Sequence, residues 1–104
     1  MIRFRAMAFG LAIIGMISVP SSNLFAYTGE KLAKGAKVSI EQARAIALQA
    51  KAGAITDEEL EREKGGSGLR YSFDIKSDGA VYEVGVDAQT GKVLENKKEG
   101  RHPD

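Results

Sequence analysis

The chain has 104 residues and a formal net charge of +1, which is enough for one small domain and too little positive charge for a typical nucleic-acid-binding protein. It contains no cysteine, and its only histidine is His102. A nucleophile, a base and an orienting residue cannot be assembled from this inventory, and one histidine gives no spaced set of metal ligands. The composition therefore argues against an enzyme, and we expect no cofactor.

The N-terminal segment, residues 1–26, has the layout of a secretory signal peptide. Arg3 and Arg5 precede a largely apolar run at 6–19, and Leu24-Phe25-Ala26 ends in a small residue that suits signal peptidase. Cleavage there would reduce the 15 basic residues to 13 against 14 acidic ones, a net charge of −1. The alternative is an uncleaved anchor, but the apolar run is shorter than the roughly 20 residues of a membrane-spanning helix. We expect a periplasmic or secreted protein with no stable membrane span after cleavage.

A helix is predicted after a polar segment. Residues 27–37 contain two glycines and three lysines and are expected to form a flexible lead-in. Ser39 and Gln42 have the spacing of a capping box, in which each side chain bonds the other's backbone N–H. Apolar residues then recur at helical spacing: Ala43, Ile46, Ala47 and Ala50. This narrow stripe lets the helix lie close to a partner surface, and Gly53 marks its end.

The next segment, Ile55 to Lys64, is mostly acidic. Taken alone it could form a helix, but its position between Gly53 and the glycine-rich loop at 65–68 favours a strand. If Leu60 points towards the core, alternation places four acids on the opposite face: Asp57, Glu59, Glu61 and Glu63. Ile55 then has the wrong parity, so we expect a bulge or a late start of the strand.

A hairpin follows. Asp78-Gly79 predicts a two-residue type I′ turn, because both residues tolerate positive φ angles. This turn aligns three apolar pairs on one face: Tyr71 with Val86, Phe73 with Val84, and Ile75 with Tyr82. A slip of one residue would set Phe73 against Glu83, so the apolar pattern selects the first register.

The C-terminal part completes the sheet. Asp87–Gly91 forms a second turn, in which Asp87 can accept backbone N–H groups and Gly91 can adopt a left-handed conformation. A short last strand, Lys92–Glu95, leads into a charged tail, of which residues 99–104 are expected to be disordered. The predicted fold class is α+β, with one N-terminal helix packed on a small antiparallel sheet of three to four strands over residues 38–98.

Four segments stand in an informative order and spacing: Ser39-Ile40-Glu41-Gln42-Ala43, Leu60-Glu61, Tyr82-Glu83-Val84 and Asp87-Ala88-Gln89-Thr90-Gly91-Lys92-Val93-Leu94. Together they resemble a PepSY domain over about residues 38–97. The resemblance implies a small α+β unit of a kind found in propeptides of thermolysin-like metallopeptidases and in bacterial envelope proteins. It implies a protein or peptide partner in the cell envelope, with a peptidase as one such partner, and no catalytic residues.

The predicted register also creates an acidic surface. Asp74 lies opposite Glu83, an arrangement of like charges that is normally unfavourable. Together with the acids of the first strand, six carboxylates would then share the outer face with only Arg70 and Lys76: Asp57, Glu59, Glu61, Glu63, Asp74 and Glu83.

This surface has three interpretations. It could be a solvated face that keeps the domain soluble, or a docking face for a basic peptide or a cationic protein patch. As the alternative function, it could bind cations or basic ligands in a sensor or accessory protein. An edge strand of the sheet could also accept an extended peptide through backbone hydrogen bonds, although charged edge strands also protect against aggregation.

Overall fold

The computed structural model describes residues 27–100, so the predicted signal peptide at 1–26 and the residues 101–104, with His102, lie outside the described residues. Its elements are a 3₁₀ helix (Glu30–Gly35), α1 (Ile40–Ala50), β1 (Ala54–Arg62), β2 (Leu69–Ser77), β3 (Ala80–Asp87) and β4 (Val93–Lys98). The strands form one antiparallel sheet in the order β1-β2-β3-β4, which confirms the α+β class. Within the described range, no helix has the length and apolar character needed to cross a membrane.

The start of α1 is fixed by the predicted capping box. Gln42 donates its backbone N–H to Ser39 Oγ at 3.1 Å, and Ser39 donates its own to Gln42 Oε1 at 2.9 Å. Ala43 and Ala47 are fully buried in the same core as the apolar strand residues. Because alanine is small, the helix can lie close to the sheet.

The β2–β3 hairpin has the predicted register. Asp78 and Gly79 both have positive φ angles, 52° and 79°, as a type I′ turn requires. The three predicted pairs form as expected: Tyr71 with Val86, Phe73 with Val84, and Ile75 with Tyr82. All of their side chains except that of Tyr82 belong to the buried core. This register therefore places the apolar side chains of both strands on the face that α1 covers.

The acidic segment is a strand with the expected irregularity. The pairing of β1 with β2 shifts between Ile55 and Asp57, which leaves Thr56 out of the ladder. This bulge returns Ile55 to the core side, where it pairs with Ile75, while Leu60 is only 1 % exposed. The predicted bulge is confirmed, and the helical alternative is excluded.

The last strand is longer than the sequence predicted. It runs from Val93 to Lys98 and pairs Lys97 with Glu83 and Lys98 with Tyr82. The expected end at Glu95 followed from the charged residues beyond it. An edge strand needs only backbone hydrogen bonds on one side, so its exposed positions can be charged without ending the ladder.

The segment at 27–37 also differs from the expected flexible lead-in. It contains the 3₁₀ helix, and Leu32 packs against the core. The Tyr27 ring lies 6.5 Å from that of Tyr71, and Leu60 donates its N–H to Thr28 O at 2.8 Å. The polar composition of residues 27–37 does not indicate this packing, because a few apolar side chains suffice to hold a short segment on the sheet.

Asp87 joins two loops at the end of the sheet. It is 1 % exposed, and it accepts the backbone N–H groups of Gln89 at 2.8 Å, Thr90 at 3.1 Å and Ser67 at 2.6 Å. Burial alone would raise its pKa, but these hydrogen bonds outweigh burial and lower the pKa to about 2. The predicted turn is confirmed, and the same carboxylate also holds the glycine-rich loop before β2.

Replacing Leu32 with alanine should destabilise the protein by roughly 1–2 kcal/mol, about half the usual loss for a fully buried leucine, because Leu32 is only partly buried. Chemical denaturation would measure the loss. Lys31→Ala is the matched control, since Lys31 is exposed in the same 3₁₀ helix. Equal stability of the two variants would mean that the segment does not pack on the core.

Asp87→Asn should cost roughly 2 kcal/mol at pH 7, because an amide nitrogen would face a backbone N–H in place of an oxygen. The pKa of Asp87 falls from 3.8 to about 2 on folding, so its stabilising contribution is present above pH 3.8 and is lost as the pH drops towards 2. Denaturation curves at several pH values should therefore converge for variant and wild type in acid. Asp78→Asn, in an exposed turn that asparagine tolerates, should change little at any pH.

Candidate binding face

The face of the sheet opposite α1, which we call the outer face, carries a row of acids. Asp57 is the cross-strand partner of Asp74, and Asp74 is that of Glu83. Glu59 and Glu61 share this face of β1, since side chains two residues apart point the same way. We call Asp57, Glu59, Glu61, Asp74 and Glu83 the acidic face. Like charges directly opposite one another destabilise a sheet, so this arrangement is electrostatically unfavourable.

The carboxyl groups of the acidic face influence one another. The pKa values of Glu59, Asp74 and Glu83 are all raised, and burial is the largest cause for each. Neighbouring negative charges add to it: Asp57 raises the pKa of Glu59 and Asp74, and Asp74 raises that of Glu83. The repulsion therefore extends across β1, β2 and β3.

No cationic side chain forms an ion pair with this face in the described part of the chain. Arg70 Nη1 lies 3.2 Å from Glu95 Oε1, and Lys97 Nζ lies 3.6 Å from Glu95 Oε2. The remaining ion pair joins Arg44 Nε to Glu58 Oε1 at 2.7 Å on the helix side of the sheet. Within residues 27–100, no basic nitrogen therefore lies at ion-pair distance from the acidic face, although Lys97 is the cross-strand neighbour of Glu83 and Arg70 is that of Glu61.

Arg70, one of the two cations predicted for the outer face, is 7 % exposed. Its side chain lies over Gly85, where an added Cβ would stand 3.2 Å from Arg70 Cδ. Besides its ion pair with Glu95, it donates to Lys64 O at 3.1 Å, and its buried Nε has no partner within the described residues. Its charge is therefore directed to β4 and a loop rather than to the row of acids.

The structure separates the predicted site residues into two groups. Asp57, Glu59, Glu61, Asp74 and Glu83 come together on the outer face. Within this group, Glu61 accepts a hydrogen bond from the Ser72 hydroxyl at 2.8 Å. Glu63 lies one residue beyond the end of β1 at Arg62, where it donates its N–H to Gly68 O in the following loop. Strand alternation had placed Glu63 on this face only by assuming a longer strand.

Two further acids belong to the neighbourhood and were missed from the sequence. Glu95 raises the pKa of Glu83, and Glu99 raises that of both Asp74 and Glu83. Glu95 pairs with Gly85, so continuing the alternation into the last strand would have found it. Glu99 carries no such signal, because the sequence predicts that it belongs to the tail.

Metal binding finds no support in this arrangement. Among residues 27–100, no group of three histidine, cysteine, aspartate or glutamate side chains could hold a metal ion. The carboxylates lie side by side along the rows of the sheet rather than converging on one point. Such a surface suits an elongated ligand with several positive charges better than a single ion.

Glu83→Gln should stabilise the protein at pH 7 by about 0.5 kcal/mol, because it removes one partner of a like-charged cross-strand pair. The folded-state pKa of Glu83 is raised above its ordinary 4.5, so ionisation disfavours the fold and stability falls as the pH rises through this range. The gain should therefore vanish below about pH 4 in denaturation experiments. Glu63→Gln is the control and should give no gain; a less stable Glu83→Gln variant at pH 7 would contradict the predicted repulsion.

The family assignment is consistent with this geometry. Residues 37–97 match the family model for PepSY, described as the peptidase propeptide and YPEB domain. No curated protein and no solved structure matches the chain with significant similarity. PepSY domains are non-catalytic propeptide or regulatory domains and are typically extracellular or periplasmic. Because the match covers more than half of the chain and runs from the start of α1 into β4, the chain belongs to the PepSY family.

Proposed function

We propose that this PepSY protein is an exported, non-enzymatic module that binds a basic segment of a protein or peptide in the cell envelope and thereby regulates a peptidase. The family supports a regulatory role and an association with peptidases. The observation that carries the proposal is the row Asp57, Asp74 and Glu83, which crosses three strands without an ion pair in the described part of the chain.

A basic ligand would relieve the repulsion within this row. Each exposed pair of opposite charges contributes only about 0.2–1 kcal/mol, so a useful affinity requires several contacts at once. Side chains two residues apart along a strand point to the same face, so an extended segment with alternating basic residues can present several charges together. Binding should weaken as salt screens these contacts.

The alternative, a sensor or accessory protein that binds cations or basic ligands, uses the same surface. Its basic-ligand form shares the chemistry proposed above. Its metal form receives no support from the arrangement of ligands within residues 27–100. The regulatory, peptide-binding function is therefore the one that the geometry favours.

Asp74→Asn combined with Glu83→Gln should weaken binding of an oligolysine peptide about fivefold at low salt, corresponding to about 1 kcal/mol for the lost charge contacts. Isothermal titration calorimetry would measure the affinity. The matched control is Glu30→Gln with Glu63→Gln, which removes the same charge from two exposed positions outside the acidic face. Equal weakening by both double variants would show a non-specific charge effect and contradict a defined face.

The regulatory part of the proposal needs an enzyme. The wild-type protein and the Asp74→Asn, Glu83→Gln variant should be used in parallel to capture proteins from an envelope extract. A peptidase retained only by the wild type, whose activity changes when wild-type protein is added and does not change with the variant, would support regulation. A captured peptidase whose activity responds to neither protein would leave binding without regulation and overturn this part.

A further inference from the structure

A groove runs along the open edge of β1. It has a volume of about 510 Å³ and is lined by Tyr27, Thr28 and the four residues Ile55–Glu58. We call it the edge groove. Because β1 is the first strand in the order of the sheet, the side of its backbone facing the groove does not pair with another strand within residues 27–100.

Thr28 shows that this edge accepts an extended backbone. It pairs with Glu59 in parallel orientation, and Leu60 donates its N–H to Thr28 O at 2.8 Å. Gly29 permits the close approach, since an added Cβ there would collide with the carbonyl of Leu60. Backbone groups alternate along a strand, so the N–H and C=O of Glu58 face the same side as those of Leu60. The contact at Thr28 thus covers one end of the edge, and the groove lies beside the next residues.

The walls of the groove differ in chemistry. Tyr27 and Ile55 are partly buried and belong to the apolar surface around the core. Asp57 is exposed on the acidic face, whereas Glu58 on the helix side is neutralised by two hydrogen bonds from Arg44, of 2.7 and 3.0 Å. The unneutralised charge at the groove is therefore that of Asp57, with Glu59 and Asp74 beside it.

We propose that the edge groove binds an extended basic peptide by β-strand addition along Ile55–Glu58. Its backbone bonds the open edge of β1, its basic side chains lie over Asp57 and the acidic face, and the alternate side chains contact Tyr27 and Ile55. This inference rests on the proposed function and specifies how the basic partner is held. It also explains how a sheet with no reactive side chains can recognise a ligand, since main-chain hydrogen bonds supply part of the affinity.

The same features select against other strands. A second copy of this chain would bring its own acidic β1 to the edge, and like charges on paired strands repel. The bulge at Thr56 further disturbs a long, regular pairing. A short basic peptide avoids the repulsion and needs only a few residues of ladder. The edge is therefore suited to a cationic partner rather than to self-association.

The test uses the wild-type protein and an eight-residue peptide that alternates lysine and valine. Two further versions carry backbone N-methyl groups, one on every lysine and the other on every valine. In strand addition the N–H groups of only one alternate set face β1, so one version should lose about tenfold or more in affinity while the other binds like the parent peptide. Calorimetry at low salt compares the three peptides.

The outcomes separate the two proposals. If none of the peptides binds, the proposed function and the edge inference both fail. If all three bind equally, the acidic face binds charge alone and the edge inference is overturned while the proposed function survives. Equal losses for both methylated versions would also overturn strand addition, because they would reflect a general effect of methylation.

A pair of variants tests the edge from the protein side. Glu58→Pro removes the N–H that faces the groove, and proline is tolerated on edge strands. Glu58→Gln is the control, since it loses the charged pair with Arg44 and keeps the N–H. We expect the proline variant to bind the parent peptide at least fivefold more weakly than the glutamine variant, with circular dichroism confirming that both fold. Equal affinity of the two folded variants would contradict backbone pairing at Glu58.

Discussion

The register of the β2–β3 hairpin is the constraint on which the rest of the structure depends. A side-chain period of two means that one choice of register decides the composition of both faces of the sheet. Pairing Phe73 with Val84 builds the core, and the same pairing necessarily sets Asp74 against Glu83 on the outer face. The apolar gain is larger than the cost of one like-charged cross-strand pair, which is about 1 kcal/mol or less. Core and acidic face are consequently two results of a single turn at Asp78-Gly79.

Because the domain is small, the parts of the chain outside the β2–β3 hairpin also contribute to its stability. The chain has no disulfides and one small core, so its stability depends on burying most of its available apolar side chains. The small side chains of Ala43 and Ala47 let α1 lie close to the sheet, and the segment at 27–37 adds Leu32 to the same core. Asp87 ties the loops at one end through three backbone N–H groups. On the outer face, Arg70 and Ser72 are buried, whereas Asp57 is exposed and is used for recognition in our proposal.

In our proposal, recognition by this domain relies on backbone groups that sequence motifs do not report. The open edge of β1 offers backbone donors and acceptors that every sequence possesses, and Thr28 already pairs with part of it. In the proposal, specificity comes from the position of the charges at the edge groove. Asp57 lies at the groove, and Glu58, the residue after it, is neutralised by Arg44. A regulatory domain of the PepSY family therefore needs no catalytic chemistry of its own to hold a partner.

The sequence by itself determined the capping box at Ser39, the type I′ turn, the register of β2 and β3, and an irregularity near Ile55, either a bulge or a late start of the strand. The capping box and the turn are local signals. The register and the irregularity follow from the alternation of apolar and charged residues, because the alternative arrangements would bury charged side chains. Only the tertiary structure decided the packing of 27–37, the extension of β4 to Lys98, the burial of Arg70 over Gly85 and the end of β1 before Glu63. Each of these depends on contacts between residues far apart in the chain, and a polar or charged residue carries no local sign of whether a distant strand will cover it.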